Sequence, residues 1–178
     1  MFSTDLAKDV ARKIPRLTTV PEKPNFIRDP DGQVMVLPGN LHEVCVNLRD
    51  NPQYLFDLPL QMTAVDYWKE NIFELVYCLY STKLRQGLVL KTQVPRSGPE
   101  IDSVSDVWPG MNWQEREVYD LFGITFKSHP YLKRILMWEG FPGYPLRKDY
   151  VHLTDRYDSG LEIGTPGLDE KGIPIPPK

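Results

Sequence analysis

The sequence is poor in cysteine and histidine. Cys45 and Cys78 are its only thiols, and His42, His129 and His152 its only imidazoles. Two thiols fall short of the roughly four that an iron–sulfur cluster takes, cannot close a Cys-rich zinc site and make no disulfide framework. A single Cys45–Cys78 bridge stays open, but a reducing compartment is the simpler reading. Long apolar runs are missing too. The longest stretch free of Asp, Glu, Lys and Arg runs only from Gly32 to His42, far short of the about 20 residues of a membrane-spanning helix. Asp5, Lys8, Asp9, Arg12 and Lys13 crowd the first helical pattern, which excludes a secretory signal peptide there. The expectation is a soluble chain that reaches a membrane only by docking on something else. There is also no basic excess: 21 Lys and Arg stand against 24 Asp and Glu, a formal charge of −3. A free nucleic-acid binder ordinarily carries the opposite balance.

What is present suits one globular domain with an appended segment. The chain has 178 residues, 41% of them hydrophobic, with 17 Pro and 12 Gly to supply loops. Leu6, Ala7, Val10, Ala11 and Ile14 lie on one face at helical spacing, predicting an amphipathic helix over 4–14 that Pro15 ends. Residues 17–30 are Pro-rich and read as loop, with a short strand near Asn25–Arg28. Asp31-Gly32 marks a turn before a strand over Gln33–Leu37. Asn40 and Glu43 fit a capping box, and Leu41, Val44, Cys45 and Leu48 form a second helical stripe closed at Asn51-Pro52. Strands follow at Leu60–Tyr67, Ile72–Tyr80 and Gly87–Val94. The second is almost continuously apolar and suits a central position. The order α-β-β-α-β-β-β predicts an α+β, two-layer domain with a mixed sheet and helices on one face.

After Ser97-Gly98-Pro99 a helical segment is expected, broken at Pro109-Gly110 and restarting at Asn112. Asn112 and Glu115 again resemble a capping pair, Glu115 and Glu117 suit the first turn of the helix, and Gly123 suits its C-terminal cap. Regular patterns stop there. The domains therefore read as an α+β domain over 1–123, a loop segment over 124–150 packed on it and on a partner, and an extended C-terminal arm over 151–178. Phe141, Tyr144, Leu146, Tyr150, Leu161, Ile163 and Leu168 supply too many apolar anchors for a solvated linker, so the arm is expected to lie across another protein.

Catalytic constellations are absent from the pattern. His42-Glu43 lacks the second His of a zinc-peptidase helix. Cys45 and Cys78 sit among apolar residues and read as packed thiols rather than nucleophiles. No dinucleotide or phosphate-loop fingerprint occurs, and the Gly- and Pro-rich stretch Glu139–Pro145 leads into no helix, so it reads as a structural turn. Charge is more informative. Lys127, Lys133, Arg134, Arg147 and Lys148 outnumber Glu139 and Asp149 in one segment of an otherwise acidic chain. Asp120 falls in the last turn of its helix, where the dipole disfavours an anion. Arg116, one turn earlier, is in the weaker orientation for pairing. A cationic partner for Asp120 is expected, with Arg134 and Arg147 as candidates. The charges read as a structural ion-pair network first and as a protein interface second.

Glu115-Arg116-Glu117, Asp120-Leu121-Phe122-Gly123-Ile124, Phe126, His129-Pro130, Leu132, Arg134-Ile135-Leu136 and Gly143 to Tyr150 occur in this order. This pattern over residues 113–150 resembles the signature of the thirty-kilodalton subunit of respiratory complex I, the bacterial form of which is an NADH:quinone oxidoreductase. The resemblance implies a peripheral-arm subunit without catalytic, cofactor-binding or metal-binding residues of its own, in a proton-translocating enzyme whose FMN, iron–sulfur clusters and quinone are held by partner subunits. It implies packing on the forty-nine-kilodalton quinone-site subunit beside the subunit with the terminal iron–sulfur cluster, at the cytoplasmic face of a bacterial inner membrane or the matrix side in mitochondria. The signature positions it carries over are Glu115, Arg116, Glu117, Asp120, His129, Arg134, Arg147, Lys148 and Asp149, as subunit-interface positions only. Similar domains occur in ferredoxin- or F420-dependent relatives and in membrane-bound hydrogenases. A free-standing nucleic-acid module is the alternative of another class, and would need a salt-sensitive affinity. An independent small hydrolase would need a nucleophile–base pair, which no motif supplies.

Overall fold

Strands alternate their side chains between two faces, and here the alternation sets where the core lies. Val34 and Val36, then Met62 and Ala64, Phe73, Leu75, Tyr77 and Leu79, and Leu88, Leu90 and Val94 all turn to the same side and are buried. In the computed structural model, residues 4–14, 17–19 and 33–150 are described. The elements are α1 (Thr4–Lys13), β1 (Leu17–Thr19), β2 (Gln33–Val36), α2 (Leu41–Asp50), β3 (Leu58–Tyr67), β4 (Ile72–Ser81), β5 (Gln86–Pro95), β6 (Glu100–Asp102), α3 (Met111–Phe122) and β7 (Thr125–Lys127), with a 3-10 turn at Pro38–Asn40.

The main sheet has five strands in the order β1-β2-β5-β4-β3. β2 runs parallel to β5 and the other pairs are antiparallel. The sheet is therefore mixed and the domain α+β, as expected. β4 is interior, as its apolar run requires. Ala7 and Val10 of α1 with Ile14 just past it, Leu41, Val44, Cys45 and Leu48 of α2, and Met111, Val118, Leu121 and Phe122 of α3 join one core cluster with the inward strand residues. The opposite sheet face is half-polar: Glu74 pairs with Lys91 at 3.4 Å and accepts a hydrogen bond from Gln93 at 2.9 Å.

Four local expectations are corrected. Residues 17–19 form a strand rather than loop, because β2 offers a free edge and Leu17–Thr19 pairs along it from Leu17↔Val36 to Thr19↔Val34; tertiary pairing overrides the surrounding prolines. The helix expected after Pro99 is instead β6, followed by a turn in which Val107 and Trp108 donate to the Val104 carbonyl. The partner of β6 is β7, a parallel pairing across α3 that local pattern cannot show. The capping box at Asn40 does not form. The 3-10 turn leaves Asn40 in the helical region at φ −112° and ψ −1°, whereas a capping residue needs extended backbone. Nor do Asn112 and Glu115 cap α3: Gly110 is the flanking residue, and Glu115 lies beyond the first turn with its carboxylate drawn into the core. Gly123, at φ +72°, does close α3 in the left-handed conformation. The expected strand near Asn25–Arg28 and the C-terminal arm lie outside the described residues.

Candidate functional site

The signature residues gather around α3. Helical spacing sends Glu115 inward and Arg116 and Glu117 outward, while Asp120 turns toward the chain that returns over the helix after β7. That returning chain, residues 128–150, has no helix or strand, so its backbone groups must find partners by other means.

Asp120 supplies partners for three of them in a row. Its side chain is buried, and Oδ2 accepts hydrogen bonds from the backbone N–H groups of Ile135, Leu136 and Met137 at 2.9, 2.8 and 2.9 Å. Oδ1 accepts from Arg134 Nη1 at 2.8 Å. Burial alone would raise this carboxyl, but the three backbone donors and the guanidinium outweigh it and hold the group below its ordinary range. Arg134 is thus the cationic partner of Asp120. It also donates to the Gly143 carbonyl at 3.1 Å and lies 5.3 Å from the Tyr144 ring centre.

Arg147, the other candidate, takes a different post. Its Nε donates to the Phe122 carbonyl at 2.6 Å, a cation at the C-terminal end of α3 where the dipole favours it. Its guanidinium sits 5.2 Å from the Phe73 ring centre and 4.7 Å from that of Tyr144. Leu146 N–H donates to the Leu121 carbonyl at 3.1 Å, so the returning chain completes the last turn of the helix. The Tyr144 ring packs so closely on Gly123 that a Cβ there would overlap it.

The end of the segment is tied to the sheet. Lys148 N–H donates to Asp66 Oδ2 at 2.8 Å, while its exposed ammonium has no carboxylate partner among the described residues. Arg96, just past β5, pairs with Asp66 at 2.8 Å and with Asp149 at 2.6 Å. The Arg96 bond lowers the Asp149 carboxyl, with Arg147 adding to the effect. Glu115 faces the other way. Its Oε2 accepts from Ser103 Oγ at 2.6 Å and its Oε1 from Val104 N–H at 2.7 Å. Burial nevertheless pushes this carboxyl up to about 7. His129 stands 3.9 Å away, but its Nδ1 accepts from Tyr131 N–H and its Nε2 lies 3.2 Å from the Asn112 carbonyl. That arrangement fixes one neutral tautomer, and burial lowers its pKa. Arg116 donates to the carbonyls of Lys133 and Arg134 at 3.0 and 3.3 Å. Glu117 is exposed and has no polar partner among the described residues. Eight of the nine signature positions thus hold chain to chain, through side chain or backbone, and Glu117 does not.

A profile of the family described as "Respiratory-chain NADH dehydrogenase, 30 Kd subunit" matches residues 34–156. The chain belongs to this family. It is accordingly a complex I subunit of the thirty-kilodalton kind, and so part of an enzyme complex, the NADH dehydrogenase of a respiratory chain. The corresponding NADH-quinone oxidoreductase subunit of Geobacter metallireducens is 46% identical over 119 residues, 66% of this chain and 72% of that protein. The counterpart in Geobacter sulfurreducens is 44% identical over 128 residues, 70% of this chain and 78% of that protein. A chain of the membrane-bound sulfane sulfur reductase, an archaeal respiratory membrane complex, superposes with a TM-score of 0.68 over 93% of this chain and 95% of that one. At 24% identity that likeness is one of fold.

Sequence reading missed Asp66, Arg96 and Ser103. Two of these left a signal. Asp66 continues the inward phase of Met62 and Ala64, and Arg96 follows the inward Val94 by two positions. A charge in the core phase of a strand marks a buried pair.

Proposed function

We propose that the chain is a non-catalytic peripheral-arm subunit of a proton-translocating NADH:quinone oxidoreductase, scaffolding the forty-nine-kilodalton-type subunit at the quinone site beside the subunit with the terminal iron–sulfur cluster. The observation that carries this reading is where the signature charges end. Asp120, Arg134 and Arg147 are directed at backbone atoms and at one another, and Asp149 is directed at Arg96. Such bonds fix a loop path, and a fixed path is what a docking face needs. On this reading Glu115, Arg116, Glu117, Asp120, His129, Arg134, Arg147, Lys148 and Asp149 shape or line an interface. FMN, the clusters and quinone belong to partner subunits. Consistent with that, Cys45 is sealed in the core and Cys78 lies on the opposite sheet face. Among the described residues no helix is long and apolar enough to cross a membrane. Attachment to the cytoplasmic face, or to the matrix side in mitochondria, then comes through the complex.

The test is affinity isolation of the full chain from gently solubilised native membranes, with mass spectrometry of the co-purifying proteins and an NADH:quinone assay on the same sample. Recovery of the large quinone-site subunit together with an NADH-binding module and activity is the expected result. Recovery of the large subunit without that module favours the ferredoxin, F420 or hydrogenase relatives. A chain that purifies alone overturns the reading.

A further inference from the structure

Arg116 differs from the other signature arginines. Arg134 holds the Asp120 carboxylate and Arg147 lies beside the Arg96–Asp149 pair, but no carboxylate among the described residues reaches Arg116. Its guanidinium is nevertheless oriented. The Lys133 and Arg134 carbonyls hold Nε and Nη2. The Trp113 ring, one turn earlier on α3, lies 5.1 Å away, and the Tyr131 ring of the returning chain lies 5.4 Å away. Both rings are open to solvent, at 61% and 55% exposure. Lys133 covers another part of Tyr131, with Nζ 4.9 Å from its centre.

From this we infer that the Trp113–Arg116–Tyr131 group is a docking hot spot for a neighbouring subunit of the complex, receiving an Asp or Glu carboxylate flanked by an apolar side chain. The inference rests on the proposed subunit role and deepens it. Trp, Tyr and Arg are the residues in which interface energy concentrates. A guanidinium offers its free N–H groups as a fork that fits a planar carboxylate, and one already oriented by two carbonyls loses little freedom on binding. The charge pattern selects the kind of partner. Glu117, the next residue on α3, is exposed, so an extended anionic surface such as a lipid headgroup layer or a nucleic-acid backbone meets repulsion. A single carboxylate entering between the rings does not.

Two measurements on the full chain in its complex test this. Trp113 is replaced by a photo-crosslinking phenylalanine, a change an exposed position tolerates, and the cross-linked peptide is sequenced. The expected product joins the position of Trp113 to another subunit within a few residues of an Asp or Glu. A cross-link to residues 151–178 of the same chain, or none to any subunit of a complex that the wild-type chain demonstrably enters, overturns the inference and leaves the subunit role standing. In parallel, Arg116→Glu and Arg116→Lys chains are compared for retention in the purified complex under rising salt, with melting of each isolated chain as the folding control. Arg116→Glu is expected to lower retention by about tenfold or more, and Arg116→Lys by less; both melt below the wild type because the Lys133 and Arg134 carbonyls lose their donor, so retention is compared at a temperature where all three isolated chains are folded. Retention of Arg116→Glu at the wild-type level overturns the hot spot. Failure of the wild-type chain itself to enter any complex overturns the subunit role and this inference with it.

Discussion

β4 and β5 pair without interruption from Ile72↔Pro95 to Ser81↔Gln86, each residue of the ladder supporting the next. Residues 128–150 have no ladder, yet follow a defined path over α3, held by Asp120, Arg134, Arg147 and the Asp66–Arg96–Asp149 group. In the hairpin many weak and interchangeable contacts share the load, so one lost side chain leaves the rest in place. In the returning segment a few buried polar side chains each satisfy several backbone groups. Removing one strands all of them at once. The contrast explains how a stretch without secondary structure can carry the most recognisable pattern in the sequence: the anchors must match particular backbone atoms, whereas the inward strand positions need only be apolar and of the right size.

The sharpest way to break this contrast is Asp120→Ala. It leaves the amides of residues 135–137 without their acceptor and Arg134 without its carboxylate, and is expected to cost about 3–5 kcal/mol in denaturant unfolding. A same-size swap on the inward face of β4, Leu75→Met, should cost less than about 1.5 kcal/mol. Equal costs would erase the distinction.

A second comparison lies within α3. Asp120, held low by its donors, adds stability that is present above its ordinary value of 3.8 and is lost as pH falls through its depressed native value. Glu115 has the opposite sign. Its native pKa is raised from 4.5 to about 7, so the native state binds the extra proton between these values. Its contribution is complete below 4.5 and is lost as pH rises through about 7. Urea titrations from pH 4.5 to 8 should show the wild-type chain losing on the order of 3 kcal/mol relative to Glu115→Gln. A difference independent of pH would contradict the buried, raised carboxyl.

Gly123→Ala probes the contact between α3 and the returning segment. It forces a Cβ onto left-handed backbone and into the Tyr144 ring. Unfolding should become easier by about 1–3 kcal/mol, with Tyr144 displaced in its fluorescence or NMR signal. The smallest effect is expected at Glu117. As an exposed signature residue with no partner in the described chain, Glu117→Ala should change the stability of the isolated protein by less than about 0.5 kcal/mol. A larger loss would mean that it too holds the fold.

Period and charge make different parts of this molecule legible. The strand-like apolar runs of β3, β4 and β5 and the apolar stripes of α1 and α2 point to element types and the α+β class, because burial imposes those patterns directly. β1, β6 and β7 escape because each is short and owes its existence to a partner distant in the chain. The unfavourable place of Asp120 on its helix reveals its need for a cation. That its other oxygen gathers three amides is not visible, because backbone donors leave no mark in a sequence. Glu115 reads wrongly as a cap for a related reason: a carboxylate three residues after Asn112 fits that pattern locally, and only the fold brings Ser103 and Val104 against it.

Asp120 holds the returning chain in place. Hydrogen exchange at the amides of Ile135, Leu136 and Met137 in the full chain, wild type against Asp120→Ala, tests it most directly. Protected amides are expected in the wild type that exchange at least about tenfold faster in the variant, while the β4–β5 amides keep most of their protection. Fast exchange at these amides in the wild-type protein, or unchanged protection after the substitution, would contradict it.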